Sequence, residues 1–148
     1  MIKKIVVCLC CILFLTGCGS KTLKCTQRIS DFPSVKADET ISFEYKNKKV
    51  VSIQNSIRYI YTENIDSNYE VMANSLKEQF SIYDASEAID YNIQKEKNGL
   101  LFVVKINVDK LTEEESAFFG YMLKYKDSLY KDVVNDLNAQ GYQCKELR

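Results

Sequence analysis

The chain is 148 residues long, with 20 Lys and Arg against 20 Asp and Glu and no histidine. That length suits one domain with a single core, and the balanced charge makes no electrostatic case for nucleic acid. Without histidine the commonest general base and metal ligand are missing, and with them Ser-His-Asp, Cys-His and His-zinc chemistry.

The chain opens MIKKIVVCLCCILFLTGC. Lys3 and Lys4 precede an uncharged apolar run over residues 5–15. That run is too short for a bilayer span, which takes about 20 apolar residues. It has the length of a secretory h-region behind a basic n-region. It ends in Leu15-Thr16-Gly17-Cys18, which resembles the lipobox of bacterial lipoproteins. Residues 1–17 are therefore expected to be a signal peptide, and Cys18 the lipidation site. Two or three acyl chains make a stable anchor where one is marginal. Residues 18–22 would be the lipidated cysteine and a small polar tether, and residues 23–148 one extracytoplasmic domain. This implies attachment through lipid to the outer face of the cell membrane, or to the outer membrane of a diderm. The mature chain would carry 18 bases and 20 acids, a net charge of −2.

Six cysteines are present. Cys8, Cys10 and Cys11 fall in the signal and Cys18 is taken by lipid, which leaves Cys25 and Cys144. Two cysteines allow one connectivity, and the compartment permits a disulfide. A Cys25–Cys144 bridge is expected, the alternative being two buried free thiols.

Residues 23–29 alternate and predict a strand; residues 31–37, with Pro33, predict a turn. Residues 39–46 alternate cleanly, with Ile41, Phe43 and Tyr45 on one face. Asn47-Lys48 predicts a hairpin turn. Residues 50–62 place Val51, Ile53, Ile57, Tyr59 and Tyr61 on one face, and Asn55 interrupts that face as a bulge or strand edge. A helix is expected to open at Asp66, with Ser67 and Glu70 as a capping box. Its stripe runs through Tyr69, Met72, Ala73, Leu76, Phe80 and Tyr83.

Residues 89–94 alternate again. Asn98-Gly99 predicts a type I′ hairpin turn with positive φ at both residues. Residues 100–108 begin apolar on both faces and so belong inside the sheet. Thr112 and Glu115 form a second capping box, ahead of Phe118, Phe119 and Met122. A further helix is expected from Asp127 or Ser128, with Leu129, Val133, Val134 and Leu137 inward and Gly141 as its C′ residue. Residues 142–147 form a last strand. The expected fold is α+β: a two-layer sandwich of an antiparallel sheet of about five or six strands, with two or three helices on one face. The disulfide would tie the first strand to the last.

The lipobox, the dipeptide Cys25-Thr26 and a terminal helix running into Gly141-Tyr142-x-Cys144-Lys145 resemble the YehR-like small bacterial lipoproteins of Firmicutes and enteric bacteria. The resemblance covers roughly residues 23–145. It implies a two-layer fold of strands and helices and a membrane-attached, extracytoplasmic location. It supplies no established activity and no catalytic residues to carry over, and no cofactor is expected.

Cys25 and Cys144 are too far apart in sequence for a C-x-x-C redox motif, and no G-x-G-x-x-G, Walker or G-x-S-x-G pattern occurs. Glu113, Glu114 and Glu115 are candidates for carboxylate or Ca²⁺ chemistry by residue type alone. Adjacent helical residues fan out, so they read as a favourable helix start, and neither a catalytic nor a metal residue is expected. Among ten tyrosines, Tyr59 and Tyr61 share a strand face, and Tyr121 and Tyr125 a helix face. Tyr59 and Tyr61 are the candidate ligand platform, although such residues more often cover the margin of a core. The function these features support is a lipid-anchored, non-enzymatic module that binds a ligand or partner at the envelope. The alternatives are a carboxylate-dependent envelope hydrolase and a structural or assembly lipoprotein.

Overall fold

The computed structural model describes residues 20–147. Residues 1–17, expected to be a signal peptide, the expected lipidation site Cys18, Gly19 and Arg148 lie outside the described residues. Six strands alternate with helices: β1 (Lys21–Asp31), β2 (Val35–Lys46), β3 (Lys49–Tyr61), α1 (Ile65–Phe80), β4 (Ile89–Glu96), β5 (Gly99–Asn107), α2 (Glu113–Phe118), α3 (Gly120–Leu123), α4 (Tyr130–Ala139) and β6 (Gln143–Leu147). The strands form one antiparallel sheet in the order β4-β5-β3-β2-β1-β6. This is the α+β sandwich expected from the alternation.

One sheet face is the core. Leu23, Phe43, Ile53, Leu100 and Ile106 are fully buried there. The helices supply Leu76, Phe80, Met122, Val133 and Leu137 against them. The other face is polar, as in the register row Lys24, Ser42, Gln54, Lys105. A single hydrophobic face requires this period-two alternation. β5 runs between β4 and β3, as its two-sided apolar run predicts.

Local details depart from expectation for identifiable reasons. β1 begins at Lys21, so Lys21 and Thr22 are strand, paired with Tyr45 and Glu44, rather than tether. β2 begins at Val35, and the turn at Pro33 is correspondingly shorter. The irregularity in β3 falls at Val51: Tyr45 pairs with Val50 and Glu44 with Ser52, leaving Val51 as the extra residue. The bulge therefore puts Val50, not Val51, in the core. Asn55 is neither bulge nor edge; it pairs regularly with Ile41 and Val104.

The two hairpins exchange their expected chemistry. Asn47 and Lys48 both have positive φ, at 52° and 67°, the type I′ signature. Asn98 and Gly99 do not. Glu96 pairs with Gly99, so Lys97 and Asn98 form that loop. Gly99 is required by crowding instead: a Cβ there would lie 1.9 Å from the Tyr59 carbonyl oxygen.

α1 starts one turn earlier than the Ser67/Glu70 spacing implies. Asn64 sits in the left-handed region as N-cap, and Asn68 Nδ2 donates to the Glu63 carbonyl. Ser67 and Glu70 are thus inside the helix. The Thr112/Glu115 capping box forms as expected. α3 ends at Leu123, so Tyr121 and Tyr125 do not share a helix face: Tyr121 is exposed and Tyr125 buried. α4 starts at Tyr130 with Leu129 as an exposed N-cap. Its C-terminus is a Schellman motif, with Tyr142 N–H donating to the Leu137 carbonyl and Gly141 N–H to that of Asn138. Gly141 has φ +93°, which suits glycine at C′.

Cys25 and Cys144 face each other across β1 and β6 and are disulfide-bonded. The bridge closes a loop with a sequence separation of 119 and joins the edge strand β6 to the sheet. In the chain-entropy account, loops of this length contribute about 4–5 kcal/mol, and measured values cluster at about 2–4 kcal/mol. The Cys25→Ala/Cys144→Ala double variant should lose about 2–4 kcal/mol in denaturant unfolding. Non-reducing peptide mapping of the parent should recover the two cysteines joined.

Candidate functional site

α1 lies on β4 and β5, and α4 lies beside β6 and β1. The α2–α3 segment occupies the space between them. The helix break at Phe119, with φ −95° and ψ 14°, turns Phe118 and Phe119 toward α1. A cleft of about 310 Å³ remains between α1 and α2–α3. Its floor is β3 and β5, through Asn55, Ile57, Tyr59, Phe102 and Val104. Its walls are Leu76, Gln79 and Phe80 on one side, and Phe118, Phe119, Tyr121 and Met122 on the other. Phe80 meets Phe102 edge-on at 4.8 Å between centroids, and Phe118 meets Phe119 at 4.9 Å. Small-molecule sites have this character, mostly apolar with a few placed polar groups.

The placed polar group is Asn55. Only 7% of it is exposed, and it is the one buried amide or charged side chain among the described residues. Its Nδ2 donates to Glu39 Oε1 at 2.8 Å and, more weakly, to the Tyr121 hydroxyl oxygen at 3.4 Å. The carboxylate fixes the amide's orientation, because the opposite rotamer would set two acceptors against each other. Asn55 Oδ1 then has no donor. A buried acceptor without a partner costs about 1–3 kcal/mol and calls for an explanation. The Tyr142 hydroxyl donates to the second oxygen of Glu39. Glu39, Asn55, Tyr121 and Tyr142, from four separate segments, thus form one polar thread at the end of the cleft.

Burial, and then the Glu39 charge, push the Tyr59 hydroxyl above its ordinary value. Burial dominates likewise at Tyr121, with the Asn55 hydrogen bond opposing it and Glu39 reinforcing it. The Tyr121 ring is 60% exposed at the mouth while its hydroxyl turns inward to Asn55. Tyr142 is raised further, by burial and then by its bond to Glu39.

Of the two tyrosines expected to form a platform, Tyr59 lines the cleft. Tyr61 is buried, with a hydroxyl that has no partner, so the two do not present a common surface. Glu113 and Glu114 are exposed in the first turn of α2. Glu115 accepts the Thr112 N–H at 2.8 Å and the Ser86 hydroxyl, so its carboxylate is engaged in capping. Among the described residues no group of three or more His, Cys, Asp or Glu is placed to hold a metal ion. No described helix is long and apolar enough to cross a membrane. A larger groove, about 520 Å³, runs along the outer edge of β4 past Asp84, Asp90 and Tyr91. There the Tyr91 hydroxyl donates to Asp84 at 2.6 Å.

Sequence reasoning missed Asn55 as a site residue. The available signal was one amide interrupting the apolar face of a strand with neighbours on both sides. Glu39 and Phe118 gave none, because their roles depend on residues distant in the chain.

The architecture defines a class: a two-layer α+β sandwich whose six-stranded antiparallel sheet is covered by helices on one face. The NMR structure of E. coli YehR has this fold, with a TM-score of 0.61 and 14% identity over 90% of this chain and 96% of that one. The NMR structure of a protein from Streptococcus pneumoniae TIGR4 is also similar, with a TM-score of 0.58 and 11% identity over 86% of each chain. The fold is therefore YehR-like, as the terminal motif implied. No family model and no curated protein matches the chain.

Asn55→Leu removes the orphan acceptor, and the adjacent cleft can take the added volume. It also removes the N–H that Glu39 Oε1 accepts, so the variant should unfold within about 2 kcal/mol of the parent; a larger loss would show that the amide is needed for folding. Glu115 yields a pH prediction. The Ser86 hydroxyl, then the Thr112 N–H, hold its carboxyl below the ordinary range. A lowered folded-state value stabilises the fold above the unfolded-state value of about 4.3. That stability is lost as pH falls through the folded value. Glu115→Gln should lower stability near pH 7, converge with the parent at acid pH, and so flatten the acid limb of the stability–pH curve below about pH 5.

Proposed function

We propose that this chain is an extracytoplasmic lipoprotein, anchored through Cys18, whose domain is a non-enzymatic module that binds a ligand in the cleft above β3. The anchor rests on the basic start, the short apolar run and Leu15-Thr16-Gly17-Cys18. The Cys25–Cys144 bridge agrees with an oxidising compartment. The observation that carries the binding reading is the cleft itself: an aromatic-walled cavity whose one buried amide keeps an acceptor unsatisfied. A fold retains such a group at a cost, and ligand binding is the use that would offset it.

Lys21 enters β1 three residues after Cys18, so in this reading the tether is short and the domain rides close to the bilayer. The sheet end carrying the Asn47-Lys48 turn lies at the same end as Lys21, which pairs with Tyr45.

Replacement of Cys18 tests the anchor. The parent, expressed in a bacterial host, should partition into the detergent phase and shift in mass by its acyl groups and by loss of residues 1–17. Cys18→Ala should retain its leader and gain no acyl mass. Acylation of that variant, or an unacylated parent, would overturn the reading.

A further inference from the structure

The geometry points to small apolar amines, in their ammonium form, as the ligand class of the cleft above β3. The inference rests on the reading of that cleft as a binding site and specifies what it selects.

Three observations converge. First, the polar end of the cleft lacks a donor. Asn55 Oδ1 has no partner, while its Nδ2 is committed to Glu39. A ligand that donates completes this end; one that only accepts leaves it worse off. Second, the charge just behind Asn55 is negative. Glu39 accepts one bond on each oxygen, from Asn55 and from Tyr142, and a carboxylate retains further lone pairs. No Lys or Arg lines the cleft among the described residues. An anion would therefore enter against Glu39 with no compensating cation, whereas an ammonium group is attracted. Third, Phe80, Phe118, Phe119 and Tyr59 supply aromatic rings along the cleft. Rings of this kind favour a cation over their faces and an apolar body between them.

Access follows from Tyr121. Asn55 Oδ1 is buried, and Tyr121 reaches the amide through a contact of 3.4 Å, near the limit of a hydrogen bond. Tyr121 sits on the four-residue helix α3 with most of its ring exposed. Displacement of this one side chain, which breaks only that weak contact, is the route by which the entering ammonium would reach the amide. Phe80 in the opposite wall and Phe102 in the floor are held among core neighbours, so those sides are comparatively rigid.

The test is a titration of the purified, isotope-labelled full chain followed by amide NMR at pH 7. The probes are 2-phenylethylamine, phenylacetate and benzene. They share a ring and differ in carrying a cationic donor, an anionic acceptor or no polar group. The expected result is that 2-phenylethylamine shifts the signals of Asn55, Ile57, Tyr59 and Phe118 to Met122, with affinity at least tenfold above that of phenylacetate. Asn55→Leu should weaken the amine at least tenfold and bring its affinity within threefold of that of phenylacetate, with the dispersed spectrum of the parent retained. Equal binding of phenylacetate, or undiminished amine binding by Asn55→Leu, would overturn the selection for amines and leave the cleft as a site for apolar ligands. If none of the three probes shifts these signals, or the shifts fall outside the cleft, both the selection and the cleft as a site are overturned.

Discussion

Helices must cover the whole apolar face of a six-stranded sheet, and the cleft arises from how that cover is divided. Five strand spacings of about 4.8 Å make a sheet about 24 Å across, and a helix with its side chains is about 10 Å wide. α1 takes the β4–β5 flank and α4 the β6–β1 flank. The strip above the middle strands is left to α2 and α3, which run for six and four residues and break at Phe119. Helices this short cannot lay down a continuous apolar stripe. Phe118, Phe119 and Met122 close the strip from one side, and the remainder stays open toward α1.

The same constraint explains why a polar thread lies beneath the break. Where the cover is complete, the floor residues are Phe43, Ile53 and Leu100, all fully buried. Where it is incomplete, β3 presents Asn55, and the neighbouring strand supplies Glu39 to hold it. Tyr142 reaches Glu39 because the Schellman motif at Gly141 reverses the chain directly after α4. Cys144 follows two residues later and locks that segment to β1. The disulfide thus supports the polar thread from behind as well as the sheet edge, since loss of β6 pairing would release Tyr142 along with it.

What could be read from the chain, and what could not, divides by the range of the interaction. The Thr112/Glu115 capping box, the Gly141 helix end and the inward alternation of β2 are set by residues within a turn or two of one another, and they form as read. The Ser67/Glu70 pair has the same local pattern and fails, because Asn64 in the left-handed region and the Asn68 bond to Glu63 start the helix sooner. Asn98-Gly99 has the type I′ sequence pattern, yet Gly99 answers to the Tyr59 carbonyl of a neighbouring strand. Asn55 looked like a defect in a strand. Its partners are Glu39, 16 residues away, and Tyr121, 66 away, and no periodicity links such positions.

By itself the sequence determined where strands and helices occur, the core-facing side of most of them, with Val51 and Leu129 as exceptions, and Cys25 with Cys144 as the expected pair. These follow from backbone dihedral preferences, from the two periods of 2 and 3.6 residues, and from the expectation that the four cysteines at or before position 18 belong to the leader and its anchor. Only the tertiary structure decided that α2 and α3 would break over β3, that Tyr59 would line a cleft while Tyr61 was buried, and that Asn55 would keep an unsatisfied acceptor. Those outcomes depend on packing between segments far apart in the chain, where the space left by one helix sets the surroundings of a side chain on a distant strand.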